Sequence, residues 1–163
     1  MNDARPPISV LFVCLGNICR SPLAEGVLRH LARERGLEGQ VRVDSAGTGA
    51  WHVGERPDSR SVDVARRHGI TLTGQARKLE PEDLHDFDHV IAMDRDNLRA
   101  IRALADSSSG GAEVSLLRDF DPDPGDGEVP DPYYGGPSGF DDVFEMVRRS
   151  AEALLDRLAT DDG

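Results

Sequence analysis

The feature that most constrains the fold is a nearly continuous apolar run close to the N-terminus, Ile8 to Val13, which is rich in β-branched residues. Such a run is typical of a strand that is buried on both faces in a parallel sheet. It is followed by Cys14, a short loop and then Ser21-Pro22, which favours a helix N-terminus with Ser21 as the N-cap. The chain therefore begins with a buried strand that leads through a loop directly into a helix.

The same alternation of strand and helix continues along the chain. Periodicity and turn residues predict further strands at 41–46, 89–93 and 114–117, and helices at 22–35, at 58–68, after an N-cap at Asp94 and at 140–158. This order predicts one α/β domain with a four-stranded parallel sheet and helices on both faces. Because ligands of such sheets bind beyond the carboxyl ends of the strands, the loop after the first strand is the expected site.

Composition excludes several classes of protein. The 163 residues are 38% apolar and carry a net charge of −11, which fits one globular domain and offers no basic surface to nucleic acid. We expect a cytoplasmic protein without membrane partners, because no segment approaches the ~20 apolar residues of a membrane span and no secretory signal precedes the first strand. With only Cys14 and Cys19 as cysteines, reduced thiols are expected. The basic residues are all Arg except Lys78, a bias that suggests a GC-rich bacterial genome.

The loop after the first strand holds a nucleophile and a cation at the spacing used by cysteine-dependent phosphatases: Cys14 is followed by Arg20-Ser21. The spacing alone is weak evidence, because a chain this rich in arginine matches it by chance with a probability of roughly 20%.

The position of Cys14 and Arg20, between a strand and a helix, strengthens the evidence. Backbone N–H groups between a strand end and a helix N-terminus can surround a tetrahedral oxyanion, while the helix dipole and Arg20 stabilise a thiolate at Cys14. The alternative is a buried, inert cysteine beside a surface arginine. The residues expected to bind phosphate or another oxyanion are Leu15, Gly16, Asn17, Ile18, Cys19 and Ser21.

A general acid has several candidates in the loop before the last helix, namely Asp119, Asp121, Asp123, Asp126 and Asp131. Composition does not choose among them. Asp131 precedes Pro132 and stands beside Tyr133 and Tyr134, whose rings can wall a pocket for an aryl phosphate and shield the carboxyl from water. Trp51, in the glycine-rich loop after the second strand, is a candidate for the opposite wall. Ordinary packing is the alternative for all three aromatic residues.

The stretch from Val10 to Pro22 resembles the signature of the low-molecular-weight protein tyrosine phosphatases. Further similar segments follow in the family's order over most of residues 8–158: Asp44-Ser45-Ala46-Gly47, Trp51, Asp58, His68-Gly69, Ala76-Arg77, Met93-Asp94, Asn97-Leu98 and Asp131-Pro132-Tyr133-Tyr134-Gly135. The resemblance implies the strand order 2-1-3-4. We place the domain at residues 8–159, between an N-terminal extension of residues 1–7 and a tail of residues 160–163.

By this resemblance the protein is a signalling enzyme that hydrolyses phosphotyrosine in proteins, and aryl phosphates, without a metal or other cofactor. Cys14 is then the nucleophile, Arg20 binds the equatorial phosphate oxygens and Asp131 is the general acid. The reaction passes through a cysteinyl phosphate. Its partners are phosphotyrosine-containing proteins, with phosphate or other oxyanions as ligands.

The family also implies how the loop is supported. Asn17, Ser21 and Ser45 fall where the family uses hydrogen bonds to hold the loop and the thiolate. There is one departure, because Gly74-Gln75 stands where the family commonly places a His. This departure predicts a weakness in the network that supports the loop.

Three other functions share some of these features. Arsenate reduction on the same fold relays oxidation through further cysteines, and the sequence has none after Cys19. A phosphoryl carrier would store phosphate on a loop cysteine without hydrolysing it, which leaves Arg20 and Asp131 unexplained. A non-catalytic phosphate-binding module is the third. Cys19 itself either fills a small buried space or forms a disulfide that protects an oxidised Cys14.

Overall fold

The protein is described by a computed structural model that covers residues 7–106, 111–133 and 137–161. It contains one parallel sheet of four strands, and their order across the sheet is β2-β1-β3-β4. This confirms the predicted α/β architecture and strand order. The strands are β1 (Ile8–Cys14), β2 (Val41–Gly47), β3 (His89–Ala92) and β4 (Glu113–Leu116).

The first strand lies at the centre of the sheet, as its apolar sequence predicts. It pairs with β2 along its whole length, from Ile8 opposite Val41 to Cys14 opposite Gly47, and with β3 on its other side. Residues 10–13 have no exposed surface. Because β1 extends to Cys14, the sulfur stands at the carboxyl edge of the sheet, where the strands end.

In the described part of the chain, five helices flank the sheet: α1 (Arg20–Glu34), α2 (Ser59–Arg67), α3 (Asp83–Asp86), α4 (Arg95–Asp106) and α5 (Pro137–Asp161). The alternation of side chains along β1 divides the core in two. Phe12 and Cys14 face a cluster built with α1, α2 and α5. Leu11 and Val13 face the opposite cluster, which contains Leu84 of α3 and Ile101 of α4.

The last helix follows its predicted stripe closely. The residues of this stripe are at most 3% exposed, because α5 packs on both α1 and α2. This burial anchors the C-terminal third of the chain to the same side of the sheet that carries Cys14. The residues of the stripe are Phe140, Val143, Phe144, Val147, Ala151, Leu154, Leu155 and Leu158.

The predicted helix starts were partly right. The helix α2 starts within one residue of its predicted position, and Asp58 is its N-cap and accepts a hydrogen bond from the Arg60 N–H. The prediction of Ser21 as the N-cap of α1 was wrong, since the helix begins at Arg20 and Cys19 occupies the cap position without a side-chain cap. The reason is that the Ser21 hydroxyl makes hydrogen bonds with Cys14 and Asn17 instead.

Smaller elements were not predicted. These are the one-turn helix α3 and two 3₁₀ turns, Glu38–Gln40 and Leu117–Phe120, the second of which takes Leu117 out of the predicted fourth strand. Short elements of this kind have no hydrophobic period long enough to recognise. Across the described ranges 7–106, 111–133 and 137–161, no helix has both the length and the apolar composition needed to cross a membrane.

Candidate active site

A cleft of about 420 Å³ opens at the carboxyl edge of the sheet, directly above Cys14. This is the place that the strand-loop-helix pattern predicts. It brings together residues from the loop after β1, the loop after β2 and the loop before α5. The residues that line it are Cys14, Leu15, Gly16, Ile18, Cys19, Arg20, Trp51, His52, Asp131 and Tyr133.

The loop from Cys14 to Arg20 is held in shape by Asn17. Its backbone adopts a φ of 58°, a left-handed conformation that asparagine tolerates better than most residues. Its side chain is 2% exposed and works as a three-way connector. The Oδ1 atom accepts the backbone N–H of Arg77 at 2.9 Å, while Nδ2 donates to the hydroxyls of Ser21 at 2.8 Å and Ser45 at 3.0 Å. The predicted support by Asn17, Ser21 and Ser45 is therefore present as geometry.

A partly buried acid, Glu25, whose side chain is 13% exposed, fixes the direction of these hydrogen bonds. Its carboxylate accepts the Ser45 hydroxyl at 2.6 Å, so the Ser45 oxygen is left to accept from Asn17. The second Asn17 N–H is directed at the oxygen of Ser21, which leaves the Ser21 proton for the Cys14 sulfur at 3.0 Å or, at the longer distance of 3.5 Å, for the Ala46 carbonyl. The result is a chain of donors that ends on the sulfur. Sequence reasoning missed Glu25, because nothing in the periodicity of α1 marks a glutamate that will face a strand fourteen or more residues away.

Arg20 lies at the base of the cleft with only 2% of its surface exposed. Its guanidinium donates to Asp94 Oδ2 at 2.7 Å and to the carbonyl of Val129 at 3.0 Å. Burial opposes its charge, but the nearby charge of Cys14 and the hydrogen bond to Asp94 outweigh that effect and raise the pKa of Arg20. The cation is thus fixed beside the sulfur rather than free to seek solvent.

Asp94 has two tasks where the sequence predicted one. Its Oδ1 accepts the backbone N–H of Asn97 and so caps α4, as expected, while its Oδ2 holds Arg20. The second contact joins residues 74 positions apart in the chain. A helix-cap pattern cannot reveal it.

Among the five candidate aspartates, only Asp131 lines the cleft in the described part of the chain. Its Oδ2 lies 3.7 Å from the Arg20 guanidinium, and its Oδ1 accepts the N–H of Tyr133 at 3.0 Å. Asp121, in contrast, is buried between Arg118 and Arg149. The side chain of Asp131 remains 39% exposed, so the shielding of its carboxyl from water is partial.

The aromatic walls are only partly as predicted. Trp51 is 72% exposed beside the cleft, and its ring lies over Gly49, so it is not a core residue. Tyr133 is half-buried in the opposite wall. Tyr134 lies outside the described residues.

Sequence reasoning missed His52, which also lines the cleft. Its ring sits against Gly16 and lies 6.3 Å from the Tyr133 ring. The position of His52 beside Trp51 in the sequence was the only available signal.

Cys19 is a free thiol with 5% exposure at the inner side of the loop. Burial, helped by the charges of Asp58 and Cys14, raises its pKa to about 12. Cys19 therefore stays protonated at neutral pH, and Cys14 is the sulfur that faces Arg20 and the donor chain.

Cys14, the fixed cation of Arg20 and the carboxyl of Asp131 line one cleft, and the buried Ser21 hydroxyl lies 3.0 Å from the Cys14 sulfur. Residues 9–162 match the family model described as low molecular weight phosphotyrosine protein phosphatase. The chain belongs to this family.

Relatives of this phosphatase cover nearly its whole length. A low molecular weight phosphotyrosine protein phosphatase of Schizosaccharomyces pombe is 49% identical over 93% of the chain and 97% of its own. The low molecular weight protein-tyrosine-phosphatase YfkJ of Bacillus subtilis is 45% identical over 91% and 94%. The YfkJ crystal structure superposes with a TM-score of 0.92, at 41% identity over 99% of this chain and 100% of that one. The structure of a Drosophila arginine phosphatase gives a TM-score of 0.87 at 36% identity, over 91% and 96%.

The departure at Gly74-Gln75 does not open the network of this phosphatase. Gly74, with a φ of 90°, lies beside a small cavity of about 100 Å³ that Glu25 and Ser45 also line. Glu25 reaches Ser45 directly at 2.6 Å, so no residue at position 74 is needed to complete the chain to Asn17. These hydrogen bonds are present with glycine at position 74, and the predicted weakness in loop support stays a prediction.

Proposed function

We propose that this phosphatase hydrolyses phosphotyrosine in proteins, and aryl phosphates in general, in two steps through a cysteinyl phosphate on Cys14. The observation that carries the proposal is the shared cleft. Cys14 lies at its base with 2% exposure, beside the buried Arg20, and Asp131 stands in the same cleft with one face in solvent.

In the first step the thiolate of Cys14 attacks phosphorus in line with the phenolic oxygen. The S–P bond forms, the P–O bond to tyrosine breaks, and Asp131 gives its proton to the departing phenolate. Arg20 and the N–H groups of the loop bind the three oxygens of the transferring group, where negative charge must be stabilised in the transition state. No side-chain cap occupies the start of α1, which supports a role for those N–H groups.

In the second step a water molecule attacks the phosphorus of the intermediate. Asp131, now a carboxylate, takes a proton from this water, the S–P bond breaks, and inorganic phosphate leaves. The electron pair returns to Cys14 as a thiolate. The Ser21 hydroxyl, 3.0 Å from the sulfur and oriented towards it, stabilises this leaving group.

The walls of the cleft favour an aromatic substrate. Leu15, Ile18, Trp51 and Tyr133 provide apolar surface between the rim and the nearly buried sulfur. A phenyl ring spans this depth and contacts both walls. The phosphate of a phosphoserine side chain, which lacks a ring, would need the substrate backbone to enter the cleft.

Steady-state turnover of p-nitrophenyl phosphate and of a phosphotyrosine peptide tests the reaction. Matched phosphoserine and phosphoarginine peptides test the substrate class, the second because a structural neighbour is named an arginine phosphatase. We expect efficient turnover of the phosphotyrosine peptide, no effect of EDTA, and competitive inhibition by vanadate. Preferred hydrolysis of either other peptide would overturn the assignment of the substrate.

The variant Cys14→Ser separates the alternatives. It should lose all turnover yet still bind phosphate, because only the chemistry at sulfur is removed. Rapid quenching of the wild type with a phosphotyrosine peptide should trap one labile phosphate on Cys14. A phosphoenzyme that accumulates without releasing phosphate would favour a carrier, and turnover of arsenate with an added thiol would favour a reductase.

The cellular setting is part of the same proposal. A net charge of −11 supports protein rather than nucleic-acid partners. We propose a bacterial, cytoplasmic signalling role for the domain at residues 8–159. Capture of phosphotyrosine proteins from a bacterial lysate by Cys14→Ser, with vanadate as the competitor, tests it, and capture that vanadate does not displace would contradict it.

A further inference from the structure

Arg60, in the first turn of α2, touches the segment that carries Asp131. Its Nη1 atom donates to the backbone carbonyl of Tyr133 at 3.0 Å, two residues after Asp131. Its guanidinium also lies 5.3 Å from the centre of the Tyr133 ring and 4.5 Å from the centre of the Phe140 ring. One side chain thus binds the end of the acid-bearing segment and the start of α5.

The other side of Arg60 is fixed by Asp58. Its Nε and Nη2 atoms donate to the two carboxylate oxygens of Asp58, each at 3.0 Å, in a fork that orients the guanidinium plane. These hydrogen bonds lower the pKa of Asp58, so the pair stays charged. The remaining Nη1 atom is then aimed at Tyr133.

Asp58 is in turn attached to the loop from Cys14 to Arg20, the phosphate loop. Its backbone N–H donates to the carbonyl of Ile18 at 2.7 Å. The residue that follows Arg60 in α2 adds a second attachment, from the Ser61 hydroxyl to the carbonyl of Cys19 at 3.2 Å. Arg60 is therefore connected, through Asp58, to the backbone that surrounds the site of the reacting phosphate.

The segment around Asp131 is fastened at two points. At Val129, the N–H donates to the carbonyl of Met93 at 2.8 Å, and the carbonyl accepts from Arg20 at 3.0 Å. At Tyr133, the carbonyl accepts from Arg60. Asp131 lies midway between these points, with its side chain 39% exposed, so its distance from the phosphate depends on both fastenings.

We propose that Arg60 is a positioning residue for the general acid, and that it holds Asp131 over the phosphate by tying the Tyr133 carbonyl to α2 and the phosphate loop. This inference rests on the proposed role of Asp131. Arg60 itself does not line the cleft and touches no reacting atom. Its effect should therefore be confined to the step in which Asp131 transfers a proton.

The decisive measurement is kcat/KM for a series of aryl phosphates whose leaving groups range from phenol to 2,4-dinitrophenol. This parameter reports the first step, where only the poorer leaving groups need a proton from Asp131. For Arg60→Met, which preserves the length and apolar stem, we expect a loss of about tenfold or more for phenyl phosphate and about twofold or less for 2,4-dinitrophenyl phosphate. Arg60→Lys keeps the charge without the fork, and its loss should be intermediate.

The matched control is Arg67→Met. Arg67 stands at the other end of α2 and also bridges to α5, through Asp141 at 2.9 Å, with a further contact to Asp63 on its own helix. It has the same side chain, a similar exposure and no contact with the acid-bearing segment. Its removal should leave the leaving-group dependence unchanged. Thermal melting of all variants reports any general loss of stability.

The double variant Arg60→Met/Asp131→Asn shows which assignment fails, if one does. If Arg60 acts through Asp131, adding Arg60→Met to Asp131→Asn causes no further leaving-group-selective loss. If Asp131→Asn alone shows no selective loss, the proposed role of Asp131 is wrong. If Asp131→Asn shows it and Arg60→Met loses all substrates equally or none, the inference about Arg60 is overturned and the proposed function stands.

Discussion

Asp94 holds the guanidinium of Arg20 at 2.7 Å while its second oxygen caps the helix that follows. The pair joins the base of the cleft to the end of β3. Because Arg20 is 2% exposed, its charge depends on this partner and on whatever anion occupies the cleft.

Removal of Asp94 should therefore affect stability and catalysis together. For Asp94→Ala we expect a loss of about 3 kcal/mol in the free energy of unfolding, since a buried cation is left without its partner. We expect kcat/KM to fall by roughly 10². Saturating phosphate should restore part of the stability, because the anion binds the same cation. Urea unfolding with and without phosphate measures this.

The control for that experiment is Asp96→Ala. Asp96 also lies in the first turn of α4 and is paired with an arginine, Arg99, but its side chain is 84% exposed. Such a surface pair contributes at most about 1 kcal/mol. Equal losses in the two variants would show that the Arg20 contact has no special weight.

Glu25 should influence a sulfur that it does not touch. In Glu25→Gln the side-chain amide can donate to Ser45, which competes with the Asn17 N–H and disturbs the donor chain to Cys14. We expect about a tenfold slower alkylation of Cys14 by iodoacetate at fixed pH, equivalent to the loss of about 1.4 kcal/mol. Glu34→Gln, an exposed change at the end of the same helix, should leave the rate unchanged. An unaltered alkylation rate in Glu25→Gln would show that Glu25 does not act on Cys14 through this chain of donors.

Gly47 allows the phosphate loop to approach β2. A Cβ at this position would lie 2.8 Å from the carbonyl oxygen of Leu15 and 3.1 Å from Asn17, so the backbone of the loop would have to move. For Gly47→Ala we expect a fall of at least about 10² in kcat/KM with a folded protein, because an ångström of displacement in the loop disrupts phosphate binding. Gly39→Ala, where a Cβ meets nothing within 4 Å, is the control. Activity retained in Gly47→Ala would show that the loop adapts.

The buried thiol of Cys19 makes stability depend on alkaline pH. The pKa of this thiol is about 12 in the folded protein, whereas its ordinary value, which applies to the unfolded chain, is 9.0. Above pH 9 the unfolded chain therefore releases a proton that the folded chain keeps. Stability is complete below pH 9 and falls as pH rises towards 12, by up to about 1.4 kcal/mol per pH unit. Urea unfolding between pH 7 and 10.5 should show a steeper decline for the wild type than for Cys19→Ala. Parallel declines would count against this assignment.

The fold was predictable from local patterns where those patterns reflect a single dominant force. The apolar run of β1 and the stripe of α5 reflect burial, and the start of α2 near residue 58 reflects a hydrogen bond between Asp58 and Arg60, two residues apart. These features are decided within a few positions of the chain. The order of the strands was implied by the family resemblance rather than by the residues alone.

The parts of the site that escaped prediction depend on partners far away in the chain. Ser21 has the chemistry of an N-cap, yet a sulfur seven residues earlier takes its hydroxyl. Asp121 and Asp131 are equivalent as residue types, but Asp121 is buried by ion pairs with Arg118 and with Arg149 of α5, whereas Asp131 lies in the cleft. Glu25, Asp94 and Arg60 act through contacts that no local spacing encodes.

The two partners of Arg20 have a consequence for folding kinetics. Asp94 lies 74 residues and the Val129 carbonyl 109 residues further along the chain, so the cleft closes only after contacts of very high sequence separation have formed. Partly folded species that contain only the N-terminal half should be inactive even when β1 and α1 are in place. Catalytic activity is therefore a late reporter of refolding. After dilution from denaturant, its return should follow the recovery of the helical circular dichroism signal.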